Sequence, residues 1–172
     1  GVILAGGLGT RLHPVTKVTN KHLIPVADKP MVYYPLNTLI SAGIKKIMIV
    51  TGNESAGDFL KLLGSGSEFG VELTYRVQDG AGGIAHALAL AEDFIGDDKF
   101  IVILGDNYYH EKIDSSYIEK FANGDNAFIA LKKIPNSLLY EEKNGAKRAR
   151  FGIAEAKNGK IISIEEKPEK PR

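Results

Sequence analysis

Residues Leu4 to Pro30 read LAGGLGTRLHPVTKVTNKHLIPVADKP, and the rest of the chain can be organised outward from them. The apolar run Val2-Ile3-Leu4 stops abruptly at Ala5-Gly6-Gly7-Leu8-Gly9-Thr10-Arg11, so a short buried strand gives way to a turn. Gly6, Gly7 and Gly9 let the backbone bend sharply and come close to a ligand, because no Cβ stands in the way. Successive free N–H groups in such a turn form a concavity that attracts anions. Arg11 adds a planar fork of donors matched to phosphate, and Lys21 adds a compact positive charge further on. Two readings fit: a tight strand-to-helix turn with two solvated cations, or a polyphosphate site. Glycines, arginine and lysine directly after an apolar strand favour the second.

Beyond this loop, helical and strand patterns alternate. Met31, Tyr34, Pro35, Thr38, Leu39 and Ala42 share one helical face, with Pro35 in the first turn and Gly43 placed for a C-terminal cap. Lys46 to Thr51 (KIMIVT) reads as a buried parallel strand. Asn53 is a candidate cap for a helix that buries Phe59, Leu62 and Leu63 and ends at Gly64. Gly70 to Val77 alternates through Val71, Leu73, Tyr75 and Val77 as a strand. A helix should follow, with Ile84, Leu88, Ala91 and Ile95 on one face.

Phe100 to Leu104 (FIVIL) is the most apolar strand and ends at Gly105-Asp106. Ser116 and Glu119 form a candidate capping box for a short helix ending near Gly124, and Ala127 to Leu131 reads as a fifth strand. Phe151 to Ala156 and Ile161 to Glu165, joined by Asn158-Gly159, form a hairpin. Glu141 to Arg150 (EEKNGAKRAR) lacks apolar periodicity. It reads as a solvated inserted loop, with a basic contact surface as the alternative. This succession predicts an α/β fold: a three-layer α/β/α, Rossmann-like arrangement around a mostly parallel doubly wound sheet, with an antiparallel hairpin added.

Composition narrows the classes. At 172 residues, one domain over residues 1–172 is the default. A start inside the first strand and an end at Pro171-Arg172 give the expectation of a chain cut at both ends. Hydrophobic content of 44% and charged content of 25% describe an ordinary soluble protein. The net charge of +1 exerts no global pull toward nucleic acid or an anionic membrane, so neither is expected as a partner. No cysteine is present, which excludes disulfides and thiolate metal sites and suits a cytoplasmic location. No apolar run reaches the ~18 residues of a membrane span.

The glycine loop matches neither common phosphate motif. Counted from Gly7, the last glycine of a dinucleotide fingerprint would fall on Leu12, and no Gly-Lys-Ser/Thr follows Gly9. Instead Gly6, Gly7, Gly9, Thr10, Arg11, Leu12, Pro14 and Thr16, then Lys21, Pro25, Val26, Lys29, Pro30 and Met31, resemble the opening of the sugar-nucleotide pyrophosphorylases. That family's pattern is G-G-x-G-T-R-L-x-P-x-T followed by K-x-x-x-P-V-x-x-K-P-M. Within the family the likeness is to the glucose-1-phosphate thymidylyltransferases, and it covers nearly all of the chain.

The resemblance implies a nucleotidyltransferase that joins a sugar 1-phosphate, expected to be glucose 1-phosphate, to dTTP, yielding dTDP-sugar and pyrophosphate with Mg²⁺. A UTP-using enzyme is the nearest alternative, and a homo-oligomer is left open. Leu4, Gly6, Gly7, Gly9, Thr10 and Arg11 would bind the nucleotide. Arg11, Lys21 and Lys167 would be catalytic. Asp106, in Leu104-Gly105-Asp106-Asn107, is a hard oxygen donor at a strand end and would hold the metal, with a turn aspartate capping the next segment as the lesser alternative.

Gln78, in VQDGAGGIAHA, resembles the family's base-reading Q-x-x-x-x-G-x-A. Its amide offers an acceptor and two donors, enough for the N3–H and a carbonyl of a pyrimidine, while Gly83 leaves the backbone close to base or ribose. Glu165-Glu166-Lys167-Pro168 resembles the E-K-P motif. Glu166 would accept from sugar hydroxyls, Lys167 would bridge the attacking phosphate and the nucleotide's α-phosphate, and Gly152 would leave room for the sugar. His13, His22, His86 and His110 show no metal-ligand spacing and read as surface residues or as supports behind the site.

The implied chemistry needs no nucleophilic triad, because the attacking phosphate oxygen is already ionised. Catalysis reduces to alignment and charge neutralisation. Two rivals remain. A dinucleotide-binding module requires an acidic residue about twenty positions after the loop, which Asp28 approaches only from a proline-flanked stretch. The other is a nucleotide-binding domain without turnover.

Overall fold

Strand β1, Val2–Ala5, forms from the apolar run before the glycine loop, and all four of its residues are buried. The structure, a computed structural model, describes residues 1–80, 82–113, 115–124, 127–143 and 146–169. They fall into two compact units, Gly1–Asp125 and Asn126–Arg172.

In the first unit β1 is central. A small antiparallel ladder, β2 (Pro25–Val26) with β3 (Lys29–Pro30), follows the loop and leads into helix α1 (Tyr33–Ser41). Strand β4 (Lys46–Gly52), helix α2 (Ala56–Leu63), strand β5 (Glu72–Gln78), helices α3 (Gly83–Ala89) and α4 (Glu92–Ile95), strand β6 (Val102–Leu104) and helix α5 (Ser115–Ala122) complete it. The sheet order is β5-β4-β1-β6 with every pairing parallel. The chain therefore builds outward from β1 through β4 to β5, then returns to lay β6 on the other side of β1.

Alternation along the strands divides the core into two faces. Ile3, Ala5, Ile47 and Ile49 pack with Val32 just before α1, Leu36 and Leu39 from α1, and Phe59 and Leu63 from α2. Val2, Leu4, Met48 and Val50 pack with Ala87 and Ala91 on the opposite side. This is the expected three-layer arrangement. Fully buried side chains such as Phe59, Leu36 and Leu39 each contribute about 1.5–3 kcal/mol through burial.

Gly43 closes α1 as expected. It adopts φ 82°, its N–H donates to the Ile40 carbonyl at 3.0 Å, and the Ile44 N–H donates to the Leu39 carbonyl at 3.0 Å. That pair of bonds is the Schellman pattern. Gly64 likewise ends α2 at φ 55°.

Several sequence expectations are corrected. Leu36, outside the expected face of α1, is fully buried. Asn53 caps nothing; it begins a short 3₁₀ turn, Asn53–Ser55, that precedes α2. The expected single helix over Ile84 to Ile95 is two, and Ile84 points outward at 60% exposure while Ala87 and Ala91 take the core. Gln78 is the last residue of β5 and is buried, not a loop residue beyond it. Ser116 lies inside α5 rather than capping it. Among the described residues no helix is long and apolar enough to cross a membrane.

In the second unit, 127–131 form no strand, and Phe128, Ile129 and Leu131 are exposed. A β-forming run gains from strand structure chiefly by packing its side chains on a half-buried surface, and these side chains stay exposed. A short helix α6 (Asn136–Leu139) leads to β7 (Tyr140–Lys143), paired antiparallel with β8 (Ala146–Ala149). The stretch expected as a solvated loop is thus a hairpin, held in part by Arg148 Nη2 at 3.2 Å from Glu141 Oε1. The expected hairpin follows as β9 (Ile153–Lys157) and β10 (Lys160–Glu165). Asn158 and Gly159 turn it with φ 53° and 74°, the positive angles a two-residue hairpin loop demands.

Candidate active site

In a doubly wound sheet, ligands bind beyond the carboxyl ends of the strands, at the point where strand order reverses. Here that point lies between β1 and β6, which run into the glycine loop and Gly105-Asp106 respectively. The loop is held from within. Gly9 takes φ 63°, and its carbonyl accepts from the Thr16 hydroxyl at 2.7 Å. A Cβ on Gly7 would stand 3.3 Å from Lys21 Nζ, so the absent side chain leaves Lys21 room to cross the loop.

Lys21 reaches Asp106, with Nζ 2.5 Å from Oδ2. Burial pushes the Asp106 carboxyl up, but the Lys21 hydrogen bond and charge outweigh it, and the group stays below the usual carboxylate range. It is therefore anionic near neutrality.

Behind this pair sits His22, buried at 2% exposure. The Asn20 amide nitrogen donates to the Ala5 carbonyl at 3.3 Å and to Ser55 Oγ at 2.9 Å. Its oxygen accepts from the His22 backbone N–H at 2.9 Å and lies 2.6 Å from His22 Nδ1. Because that oxygen only accepts, Nδ1 carries the ring proton. Burial above all, then the Lys21 charge, lowers the His22 pKa to about 4, while Asp106 and the Ala5 carbonyl push weakly the other way. The imidazole is neutral and structural. The ring also fills the space above Gly105, where an added Cβ would come within 2.7 Å of His22 Cδ2.

A cleft of about 330 Å³ opens on the other side of the loop, over the ends of β1, β4 and β5. Gly6, Gly7, Asn20, Asn53, Glu54 and Gln78 are among its walls; Arg11, Lys21 and Asp106 are not. Gln78 Oε1 would lie 2.7 Å from a Cβ on Gly6, and Gln78 Nε2 is 3.4 Å from the Gly83 carbonyl. The structure thus brings Gln78, Gly6 and Gly83 together, and separately Lys21, Gly7 and Asp106, with the loop common to both.

Thr10 and Arg11 lie in an exposed 3₁₀ turn, Thr10–Leu12. Leu4 is a core residue, and its carbonyl accepts from the Gly105 N–H at 2.8 Å. Asp28 falls in the turn between β2 and β3, not at the end of a sheet strand, so it is not placed as the ribose-gripping acid of a dinucleotide fold.

In the second unit, Glu166 Oε2 would be 2.9 Å from a Cβ on Gly152, and Lys167 Nζ is 3.8 Å from Glu166 Oε1. Lys167 adopts φ 47°, a left-handed conformation uncommon for a side-chain-bearing residue. The Ala149 N–H donates to the Pro168 carbonyl at 2.9 Å, so the hairpin from the basic stretch braces the E-K-P segment. Sequence reasoning did not single out Asn20 or the supporting part of Thr16; Asn directly before Lys21, a residue type that caps helical turns, was the available signal.

Comparison with known proteins agrees with this geometry. The chain is 41% identical to the glucose-1-phosphate thymidylyltransferase of Neisseria meningitidis over its whole length, covering 57% of that protein. A Bacillus anthracis crystal structure described as a candidate glucose-1-phosphate thymidylyltransferase, in complex with sucrose, is 50% identical. It superposes with a TM-score of 0.87 over 99% of this chain and 65% of its own. A UDP-glucose pyrophosphorylase complexed with UDP-glucose shares the fold at a TM-score of 0.75 and 23% identity, over 97% of this chain and 68% of its own. The chain spans little more than half the length of the curated relatives it matches. The nucleotidyl transferase family profile matches residues 1–172 throughout, and with the glycine loop, Lys21 and Asp106 at the ends of β1 and β6, the chain belongs to that family.

Proposed function

We propose that this chain forms the nucleotide-binding part of a sugar-1-phosphate nucleotidyltransferase. Such an enzyme joins a sugar 1-phosphate to a nucleoside triphosphate and releases pyrophosphate. The finer reading is glucose 1-phosphate with dTTP, and UTP is the alternative nucleotide. The observation that carries the proposal is the Lys21–Asp106 contact beside the glycine loop, which holds a cation and an ionised carboxylate at the strand-order reversal.

In the reaction, an oxygen of the sugar phosphate attacks the α-phosphorus. A new P–O bond forms there while the bond to the β-phosphate breaks, and its electron pair leaves with pyrophosphate. The loop N–H groups and the exposed Arg11 fork would hold the departing β- and γ-phosphates. Lys21 would neutralise the triphosphate. Gln78 and Gly83 would take the base, and Lys167, Glu166 and Gly152 would take the attacking phosphate and its sugar.

A hard divalent cation fits Asp106, because the carboxyl is ionised and partly open. Among the described residues no cluster of three His, Asp or Glu forms a protein cage, so substrate phosphates would complete the coordination. When bound, Mg²⁺ supplies neutralisation of phosphate charge.

Calorimetry of this chain with Mg²⁺ and, in turn, dTTP, UTP and NAD tests the reading. Binding of the pyrimidine triphosphates is expected. Tight NAD binding with no response to triphosphates would overturn it.

A further inference from the structure

The buried amide of Gln78 has its donors committed on the inside. Nε2 lies 3.4 Å from the Gly83 carbonyl and 3.2 Å from His86 Nδ1. A carbonyl only accepts, so the nitrogen, and not the oxygen, faces Gly83. His86 Nδ1 must then accept as well, which puts the imidazole proton on Nε2 in the neutral ring. The ring lies directly on the backbone of Gly82, where an added Cβ would come within 2.0 Å of Nδ1. Both amide hydrogens are therefore used, and Oε1 faces the glycine loop beside Gly6. Among the described residues no hydrogen bond reaches Oε1, and no fully buried side-chain polar atom lacks a partner, so Oε1 is the atom open to a ligand.

This arrangement narrows what Gln78 can read. An acceptor-only amide pairs with a base whose N3 bears hydrogen, as thymine and uracil do, and is repelled by the unprotonated N3 of cytosine. We propose that His86 is a positioning residue that fixes the Gln78 amide so that the site selects N3–H pyrimidines, a role that rests on the nucleotide reading above. His86 touches no substrate in this scheme; it acts by accepting the hydrogen that would otherwise let the amide turn over.

The test measures dTTP, dCTP and inorganic pyrophosphate binding by calorimetry on the whole chain and three variants. His86→Ala removes the acceptor, and the dTTP-to-dCTP affinity ratio should fall about tenfold, the worth of one hydrogen bond. His86→Gln, whose carbonyl can accept, should restore most of the ratio. His86→Lys offers donors only, draws Oε1 inward, and should depress the ratio further than His86→Ala. Pyrophosphate, having no base, should bind all four proteins alike.

An unchanged ratio in both His86→Ala and His86→Lys overturns the inference while leaving the nucleotide site intact. So does an equal loss of pyrophosphate and dTTP affinity in His86→Ala, which marks general damage. If the unaltered chain binds pyrophosphate but does not distinguish dTTP from dCTP, base reading by Gln78 itself fails, and His86 loses its role with it.

Discussion

The Lys21 ammonium lies 2.5 Å from an Asp106 carboxylate oxygen, tying the segment after β1 to the turn after β6 across 85 residues of chain. Their side chains are 24% and 43% exposed. An ion pair so open to water contributes no more than about 1 kcal/mol to stability, so its placement matters more for ligand chemistry than for folding. Asp106→Asn should leave the melting temperature within a few degrees of the original. It should abolish the gain in dTTP affinity that Mg²⁺ provides. Titrations with and without Mg²⁺ on both proteins measure this, and a persisting metal-dependent gain in Asp106→Asn would remove Asp106 from the site.

Burial of a neutral His22 ties stability to pH. Its pKa is about 4 in the folded chain and 6.5 when free, so the unfolded state binds the proton first as pH falls. His22 therefore destabilises nothing above pH 6.5, and stability drains away between there and about 4. The shift corresponds to a loss of about 3 kcal/mol at most over that window. Asp106 acts lower, since its depressed pKa makes a contribution that is lost only as pH falls through and below its free value of 3.8. Urea unfolding from pH 8 to pH 4.5 should show the decline in the original chain and a flatter profile in His22→Gln. Parallel profiles would mean that His22 is not held neutral.

Arg11 offers its guanidinium to solvent from the turn after the loop, with no hydrogen bond or ion pair among the described residues. Removing it should cost little stability and much phosphate affinity. Arg11→Ala is expected to weaken triphosphate binding by about ten- to a hundredfold, the range of a charge-assisted hydrogen bond of about 1.5–3 kcal/mol. Arg11→Lys should recover only part, because a point charge cannot reproduce the fork. Full triphosphate affinity in Arg11→Ala would show the phosphates lie elsewhere.

The parts of the fold legible in the sequence are those where one local cause suffices. The apolar runs give the parallel strands β1, β4 and, over Val102–Leu104, β6, Gly43 supplies the positive φ of a helix stop, and Asn158-Gly159 supplies that of a hairpin. Elements that depend on a partner were not legible. Residues 127–131 have the composition of a strand, yet Phe128, Ile129 and Leu131 lie exposed and no strand forms. Ile84 fits a helical stripe, yet the chain divides near Leu90; Ala91 is buried and Leu88 and Ile95 pack against the core as expected, while Ala87 rather than Ile84 is buried in the first helix. The Glu141 to Arg150 stretch lacks apolar alternation because its hairpin rests in part on a cross-strand Glu141–Arg148 pair. At the site, residue types pointed to phosphate and base. That Asn20 links His22, Ala5 and Ser55, and that Gln78 has one free atom rather than three, follows only from contacts made across the fold.

Gly6 and Gly9 lie three residues apart but should respond differently to alanine. At Gly9 the backbone is left-handed, and a Cβ would press on Thr16 Cγ2 at 2.9 Å and on the Lys21 stem at 3.0 Å. Gly9→Ala should thus lower stability by about 1 kcal/mol or more and disturb Lys21. Gly6 is not left-handed, and its added Cβ would meet only the far end of a flexible side chain, Gln78 Oε1 at 2.7 Å, closely. To make room the amide must turn away and give up its bonds to the Gly83 carbonyl and His86, so Gly6→Ala should melt somewhat lower, though without the backbone strain of Gly9→Ala. What should be lost is base selection: the displaced Oε1 no longer faces an N3–H, and dTTP and dCTP affinities should converge while pyrophosphate affinity is retained. Thermal melts and calorimetry on Gly6→Ala and Gly9→Ala decide the matter. A Gly6→Ala chain that still prefers dTTP to dCTP as strongly as the original would show that Gln78 does not meet the base beside Gly6.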